Sequence, residues 1–171
     1  MESVKWFDRK FDFSLTENVF PSIIERLKGT PARLEEKFKQ IPPNCLNIKV
    51  DNTWSIKENI GHLTDLEPLW RGRLEDIING EKELRPTDLL NQKTDEANHN
   101  AKSLGELLSA FRQTRALTVS MLEKLDEPTI FKTALHPRLK TPMRTMDLFL
   151  FVAEHDDHHL ARITELLKIA G

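Results

Sequence analysis

Six residues near the end of the chain, Glu154-His155-Asp156-Asp157-His158-His159, carry the densest chemistry in the sequence, inside an apolar-periodic run from Met146 to Ala170. Side chains four apart on an α-helix share a face, with Cβ atoms roughly 5 to 6 Å apart, so the imidazoles of His155 and His159 can meet at one point. Two imidazole nitrogens supply half of a tetrahedral shell for a divalent ion such as zinc, whose nitrogen ligands sit at about 2.0 to 2.1 Å. Helical phase, about 100° per residue, puts Leu148, Phe149, Val152, Leu160, Ile163, Leu166 and Leu167 on one stripe, with His155 and His159 along its edge. His158 falls off the stripe beside Glu154 and reads as solvated or as a support to the site. Asp156 falls in the middle of the apolar face, where an unpaired charge is costly, so a partner is expected for it.

The remaining ligands must come from another element. Ile56, Ile60, Leu63, Leu66, Trp70, Leu74 and Ile77 form a second stripe, and His62 stands on its edge in the relation that His155 and His159 hold to theirs. His62 is therefore the expected third ligand. Asn59 and Glu67 also point inward, and Glu67 needs a partner, either an arginine such as Arg115 or the second nitrogen of a ligand histidine. The run His155-Asp156-Asp157-His158-His159 also has the H-D-x-x-H form, close to the H-E-x-x-H of zinc proteases. Those enzymes take a further ligand downstream, and no histidine follows His159, so the protease reading fails.

These residues need helices to hold them, and the start signals are visible. A Ser three residues before a Glu marks a capping box at Ser14/Glu17, Ser55/Glu58 and Ser103/Glu106, and Thr145 is placed to cap the histidine helix. Helices are expected over residues 15–28, 55–79, 104–125 and 146–170, with a stop and restart at Gly29-Thr30-Pro31 leading into a short helical piece through Phe38. Only Asn47 to Val50 suggests an extended segment. The chain is all-α, and four long amphipathic helices point to a bundle. Two polar connections, residues 80–102 and 126–144, exceed what a bundle needs, and such loops are often functional. The second leads straight into the histidine helix, which makes His136, Arg138 and Arg144 candidates to line the mouth of a site, the two arginines to hold a cofactor.

At 171 residues the chain fits a single domain, residues 1–171, with room for a core. A net charge of −2 without a basic stripe argues against nucleic-acid binding. Cys45 is alone, which excludes an intramolecular disulfide, and it follows Pro42-Pro43-Asn44 with no activating His or Asp nearby, so it reads as an ordinary thiol. The start Met1-Glu2-Ser3-Val4-Lys5-Trp6 has neither a signal-peptide pattern nor a membrane span, so a cytoplasmic protein with no membrane partner is expected. Trp6, Phe7, Phe11 and Phe13 suit either a homodimer seam or a strap on the same subunit.

A family resemblance is carried by the break at Thr30-Pro31, by Trp54-Ser55-Ile56-Lys57-Glu58-Asn59-Ile60-Gly61-His62-Leu63 with Glu67 after it, and by the stretch Glu154 to Ile163. Together they resemble the DinB-like four-helix bundles, also known as DinB/YfiT-like metal-dependent hydrolases, over nearly the whole chain. The resemblance implies an up-down-down-up bundle with a right-handed twist. It implies a metal site of one His from the second helix and an H-x-x-x-H pair from the fourth, which fall on His62, His155 and His159, the residues that helical phase selects. Family members with established activities join a low-molecular-weight thiol, such as bacillithiol or mycothiol, to a small-molecule electrophile or isomerise its adducts. The expected function is thus thiol S-transfer at a divalent metal ion (zinc, nickel or iron), with Asp156 and Glu67 expected to support catalysis by orienting the ligand histidines. Hydrolysis by a metal-activated water and a non-catalytic metal-binding bundle are the alternatives.

Overall fold

The computed structural model describes residues 4–39, 45–50 and 53–170. Met1-Glu2-Ser3 and Pro42-Pro43-Asn44, used above in reading the chain start and Cys45, lie outside the described residues. The elements run α1 (Phe20–Lys37), α2 (Ile56–Ile78), α3 (Gln92–Glu96), α4 (Leu104–Leu122), α5 (Glu127–Phe131), β1 (Thr133–Leu135), β2 (Pro142–Arg144) and α6 (Thr145–Ala170). Two capping boxes close as expected. The Ser55 hydroxyl accepts from Glu58 N (3.2 Å) while the Glu58 carboxylate accepts from Ser55 N (2.8 Å), and Ser103 and Glu106 do the same at 3.2 and 2.7 Å.

The first helix departs from expectation. Ser14/Glu17 caps nothing, because α1 begins at Phe20 with Pro21 in its first turn, and the helix runs unbroken through Thr30-Pro31 to Lys37. An interior proline costs about 3 kcal/mol. Here that loss is offset by burial on both sides of it: Leu27 and Leu34 are each 0% exposed, and burying a leucine contributes about 1.5–3 kcal/mol. The start of α6 differs as well. The Thr145 hydroxyl donates to the Thr129 carbonyl (2.8 Å), and Asp147 closes the helix start by accepting from Arg144 N (2.9 Å). Asn47–Val50 forms no strand. The strands described lie instead in the second long connection, where β1 and β2 pair antiparallel with Thr133 opposite Arg144, and Glu83 of the first connection bridges to Leu135. Strands of three residues are too short to show a period of two in sequence.

Cross-helix pairs fix the directions of the four long helices. Arg26 meets Glu154 and Lys37 meets Thr164, so α1 and α6 run parallel. Lys28 pairs with Glu123 and Arg112 with Glu35, so α1 and α4 run antiparallel. Asn59 meets His159 while Trp70 meets Phe151, so α2 and α6 are antiparallel as well. The order is up-down-down-up. Helices α1 and α2 face each other across a diagonal, each packed between α4 and α6.

The core is divided at mid-height. One apolar cluster holds Leu27, Trp70, Val119 and Ala153, the other Leu34, Leu63, Phe111 and Leu160. Between them every long helix contributes buried polar residues: Thr30, Glu67, Arg115 with Thr118, and Asp156. Arg115 donates to Glu67 Oε1 (2.7 Å) and to both oxygens of Asp156 (2.5 and 2.9 Å), Thr30 donates to Asp156 Oδ2 (2.8 Å), and Thr118 donates to Glu67 Oε2. Burial opposes the charge on Arg115, and the two carboxylates more than restore it, holding its pKa above the ordinary arginine value. The chain's start straps this bundle: Trp6 packs on Phe151 (5.0 Å between ring centroids) and on Phe11 (5.2 Å), and Phe11 stacks on Phe13. Phe7 stays exposed. No helix among the described residues is long and apolar enough to cross a membrane.

Candidate metal centre

One nitrogen from each of His62, His155 and His159 lies within 4.8 Å of the other two, and all three residues are buried. Nε2 of His155 and Nε2 of His159 are 3.2 Å apart. The outer nitrogens explain how the rings are held. Asn59 donates its amide to the carbonyls of Trp54 (3.2 Å) and Ser55 (2.8 Å), which turns its oxygen to His159 Nδ1 at 2.8 Å. An amide oxygen only accepts, so His159 carries its proton on Nδ1 and leaves the Nε2 lone pair free. The Thr94 hydroxyl spends its proton on Asp65 Oδ2 (3.0 Å) and accepts from His62 Nδ1 (3.0 Å), so the inner nitrogen of His62 is also a lone pair. His155 Nδ1 is buried and has no hydrogen-bond partner among the described residues.

Burial keeps these rings neutral, as ligands must be. It pushes the His62 pKa down to about 4 and holds His155 and His159 well below the ordinary imidazole value, with the neighbouring imidazoles adding to the effect. Asp65 behaves oppositely: burial disfavours its charge, but hydrogen bonds from His99 and Thr94 hold it below the usual carboxylate range. His99 Nε2 reaches Asp65 at 2.8 Å, and its ring lies against Gly61, where a Cβ would come within 2.3 Å of it. Glycine at 61 is what lets the 80–102 connection approach α2 and deliver Thr94 to His62.

The other residues singled out in sequence are placed differently. Asp156 and Glu67 bond to Arg115 and not to a histidine, so the orienting role expected of them falls to Asn59 and Thr94. Arg144 is a second correction. Its guanidinium is committed to Asp147 (2.7 and 2.8 Å) and the Phe13 carbonyl (3.2 Å), at the start of α6 and off the cavity wall. Arg138 and His136 do line the cavity, and so does half-buried His158, whose pKa burial lowers. Arg73, Thr94, Asp65 and His99 were not anticipated. An arginine within an amphipathic helix reads as surface, and a loop threonine has no periodicity to betray it.

The histidines open onto a cavity of about 650 Å³ walled by Trp54, Trp70 and Phe151 and rimmed by Thr87, Asp88 and Asn91 of the first long connection. Small-molecule sites commonly measure about 300–1,000 Å³ and combine apolar walls with a few polar groups.

Residues 26–163 match the family model described as the DinB superfamily. The chain belongs to the DinB superfamily. Among solved structures, this DinB chain is similar to YfiT from Bacillus subtilis, described as a probable metal-dependent hydrolase with an unusual four-helix bundle topology, at TM-score 0.79 and 21% identity over 94% of this chain and 92% of that one. It is also similar to an uncharacterized protein from Clostridium difficile 630 (TM-score 0.71, 16% identity, 92% and 100% covered) and to a protein from Streptococcus pneumoniae (0.70, 16%, 92% and 94%). At these identities the likeness establishes the fold. No curated protein matches the sequence.

Proposed function

We propose that the chain is a metal-dependent enzyme that transfers a low-molecular-weight thiol to a small electrophile. The observation that carries this reading is the convergence of three buried imidazoles, two of them with the outer nitrogen donating its proton to an acceptor oxygen and the inner lone pair free. That donor set fits a divalent cation such as zinc, nickel or iron(II). His62, His155 and His159 would hold it. When bound, the ion supplies positive charge that favours the deprotonated form of a thiol or of a water molecule. Asn59, and Thr94 backed by Asp65, keep the rings oriented. Trp54, Trp70 and Phe151 exclude water from the wall on which the reacting groups meet.

Thiol transfer is favoured over hydrolysis by where the carboxylates are. Departure of an alkoxide or amine is usually assisted by a positioned acid, whereas Asp156 and Glu67 are locked on Arg115, Asp88 at the rim already accepts from Leu90 N and Gln92 N, and Glu165 on the cavity wall pairs with Arg162. A thiolate displacing a good leaving group needs no such acid. The hydrolytic reading rests on the likeness to YfiT and on His158, a titratable group on the cavity wall. Elemental analysis of the purified protein, followed by turnover of a chlorodinitrobenzene-type electrophile with and without a thiol such as bacillithiol, tests the proposal. Thiol-dependent turnover that is lost in His155→Ala supports it; thiol-independent ester hydrolysis by the metal-loaded protein favours the hydrolase instead.

A further inference from the structure

The charged groups buried at mid-bundle and at the helix starts are paired, but two arginines on the cavity wall are not. Arg73 on α2 is 1% exposed and Arg138 follows β1; neither forms an ion pair among the described residues, and Nη2 of each is buried without a hydrogen-bond partner. Asp76, three residues on from Arg73 along α2, is taken by Arg85, which donates to it at 2.6–3.0 Å. Burial pushes the Arg73 pKa down to about 10; Asp76 offsets this only in part, and Arg138 adds to the effect.

His136 lies between them and sharpens the point. Its Nδ1 faces the backbone N–H groups of Arg138 (3.2 Å) and Leu139 (3.1 Å), so Nδ1 accepts and the ring proton sits on Nε2. That Nε2–H then faces Arg73 Nη1 at 3.2 Å, a donor against a donor. The other tautomer is worse, since it sets a ring N–H against two backbone N–H groups. Arg73 Nε is satisfied by the Arg85 carbonyl (3.1 Å), but in either tautomer the wall is left with more donors than acceptors, and buried donors without acceptors are costly.

We propose that Arg73, His136 and Arg138 form an oxyanion subsite for the carboxylate or phosphate group of the small-molecule ligand. Guanidinium forks suit planar or tetrahedral oxyanions, and the His136 N–H supplies a further donor. The rest of the ligand has a direction. The Phe151 ring lies 5.5 Å from His136 and 6.2 Å from Trp70, and Trp70 lies 5.9 Å from His155, so an aromatic wall connects the subsite to the histidines. The ligand class is therefore an anion-tailed small molecule whose reacting end lies at the three imidazoles. Only the assignment of that reacting end rests on the function proposed above.

Calorimetric titration of metal-free protein in Tris-chloride with malonate and with inorganic phosphate tests the subsite apart from the metal. Either probe should bind, the tighter one naming the tail as carboxylate or phosphate. Affinity should fall roughly 10- to 100-fold in Arg138→Gln and in Arg73→Gln and stay unchanged in Lys124→Gln, which removes the same charge from the exposed turn after α4. Arg73 is buried, so circular dichroism must show that its variant is folded; half-buried Arg138 carries the test alone if it is not. Absence of binding by either probe, or wild-type affinity in Arg138→Gln, overturns the proposal. Binding that appears only after metal loading also overturns it, by moving the anion to the histidines, and leaves the metal reading intact. Anion binding by a protein that takes up no metal would do the reverse.

Discussion

Replacing Arg115 by Met should destabilise the bundle severely and leave the metal centre working in the molecules that remain folded. Arg115 is 2% exposed and bridges two carboxylates that are each 0% exposed, donating to Glu67 at 2.7 Å and to Asp156 at 2.5 and 2.9 Å. Methionine fills much of the same volume, so the loss is electrostatic and not a cavity. Removing one partner of a buried pair costs about 3–5 kcal/mol because the other charge is stranded. Here two charges are stranded at one site, so the terms do not add, and about 3–5 kcal/mol is a floor. For a chain of this size each kcal/mol moves Tm by about 2–4 °C, which puts the drop at about 6–20 °C. The Thr30 and Thr118 hydroxyls still donate to the carboxylates, and Arg71, 3.7 Å from Glu67, still compensates part of the charge, so the variant should fold in the cold.

Urea denaturation and a thermal melt measure the first half of this prediction, and metal titration at low temperature the second. A triple variant, Glu67→Met with Arg115→Met and Asp156→Leu, belongs in the same series, since a well-packed apolar replacement of a buried ionic triad is often neutral or stabilising by about 1–4 kcal/mol. The reasoning is refuted if Arg115→Met costs less than about 1 kcal/mol, or if it abolishes metal uptake while remaining folded. The second result would return Asp156 and Glu67 to the support of the histidines.

Three other outcomes follow from the geometry. Asn59→Leu and Thr94→Val remove the groups that hold the outer nitrogens of His159 and His62, and each should weaken metal affinity roughly 10- to 100-fold by competition with a chromogenic chelator; an unchanged affinity would show that packing alone orients the rings. Metal-free protein should lose stability as pH falls from 6.5 to about 4, because His62 is held near 4 by burial and ionises near 6.5 when unfolded. The unfolded state then binds more protons, so the contribution is complete above 6.5 and is lost downward through that window, on the order of 3 kcal/mol; a urea midpoint that stays flat across the window would contradict it. Gly61→Ala should displace His99, whose ring a Cβ would meet at 2.3 Å, costing about 1–3 kcal/mol as overpacking does, and His99 ring chemical shifts by NMR would report the displacement.

The helices that carry the histidines were legible because their signals are local. Ser55/Glu58 and Ser103/Glu106 declare their starts, and helical phase alone brings His62, His155 and His159 to one side. Phase also exposed Asp156 and Glu67 as charges in apolar stripes that needed a partner, and Arg115 was nameable as one. The misreadings have a common origin in terms that act at a distance. Thr30-Pro31 looks like a helix break until Leu27 and Leu34 are seen buried on both sides of it. Arg144 beside a candidate site looks like a ligand-binding residue until Asp147, three residues on, claims it. Thr94 and His99 come from a connection without periodicity, and only the close approach allowed by Gly61 makes them neighbours of His62.

Three successive residues of α6 show how a bundle with no strong local constraint on helix rotation can hold imidazoles in register. A step of about 100° per residue sends His155 to the cavity, Asp156 to Arg115 on α4, and Asp157 to Arg26 and Arg33 on α1, at 2.5 and 2.7 Å. Glu154, one step earlier, meets Arg9 and Arg26 at 2.5 and 2.8 Å. Turning α6 about its axis to swing the histidines away would break contacts on three sides at once. The exposed pairs to α1 are individually weak, about 0–1 kcal/mol each, while the buried contact of Asp156 is the stiff one. Asp156 therefore acts on the site through the rotation of the helix that carries His155 and His159, and its bond from Thr30, with the pairs of Glu154 and Asp157 to α1, keeps that rotation when Arg115 is replaced. For the same reason Asp156→Asn, which keeps the shape and the Thr30 contact, should disturb the metal centre less than Asp156→Ala.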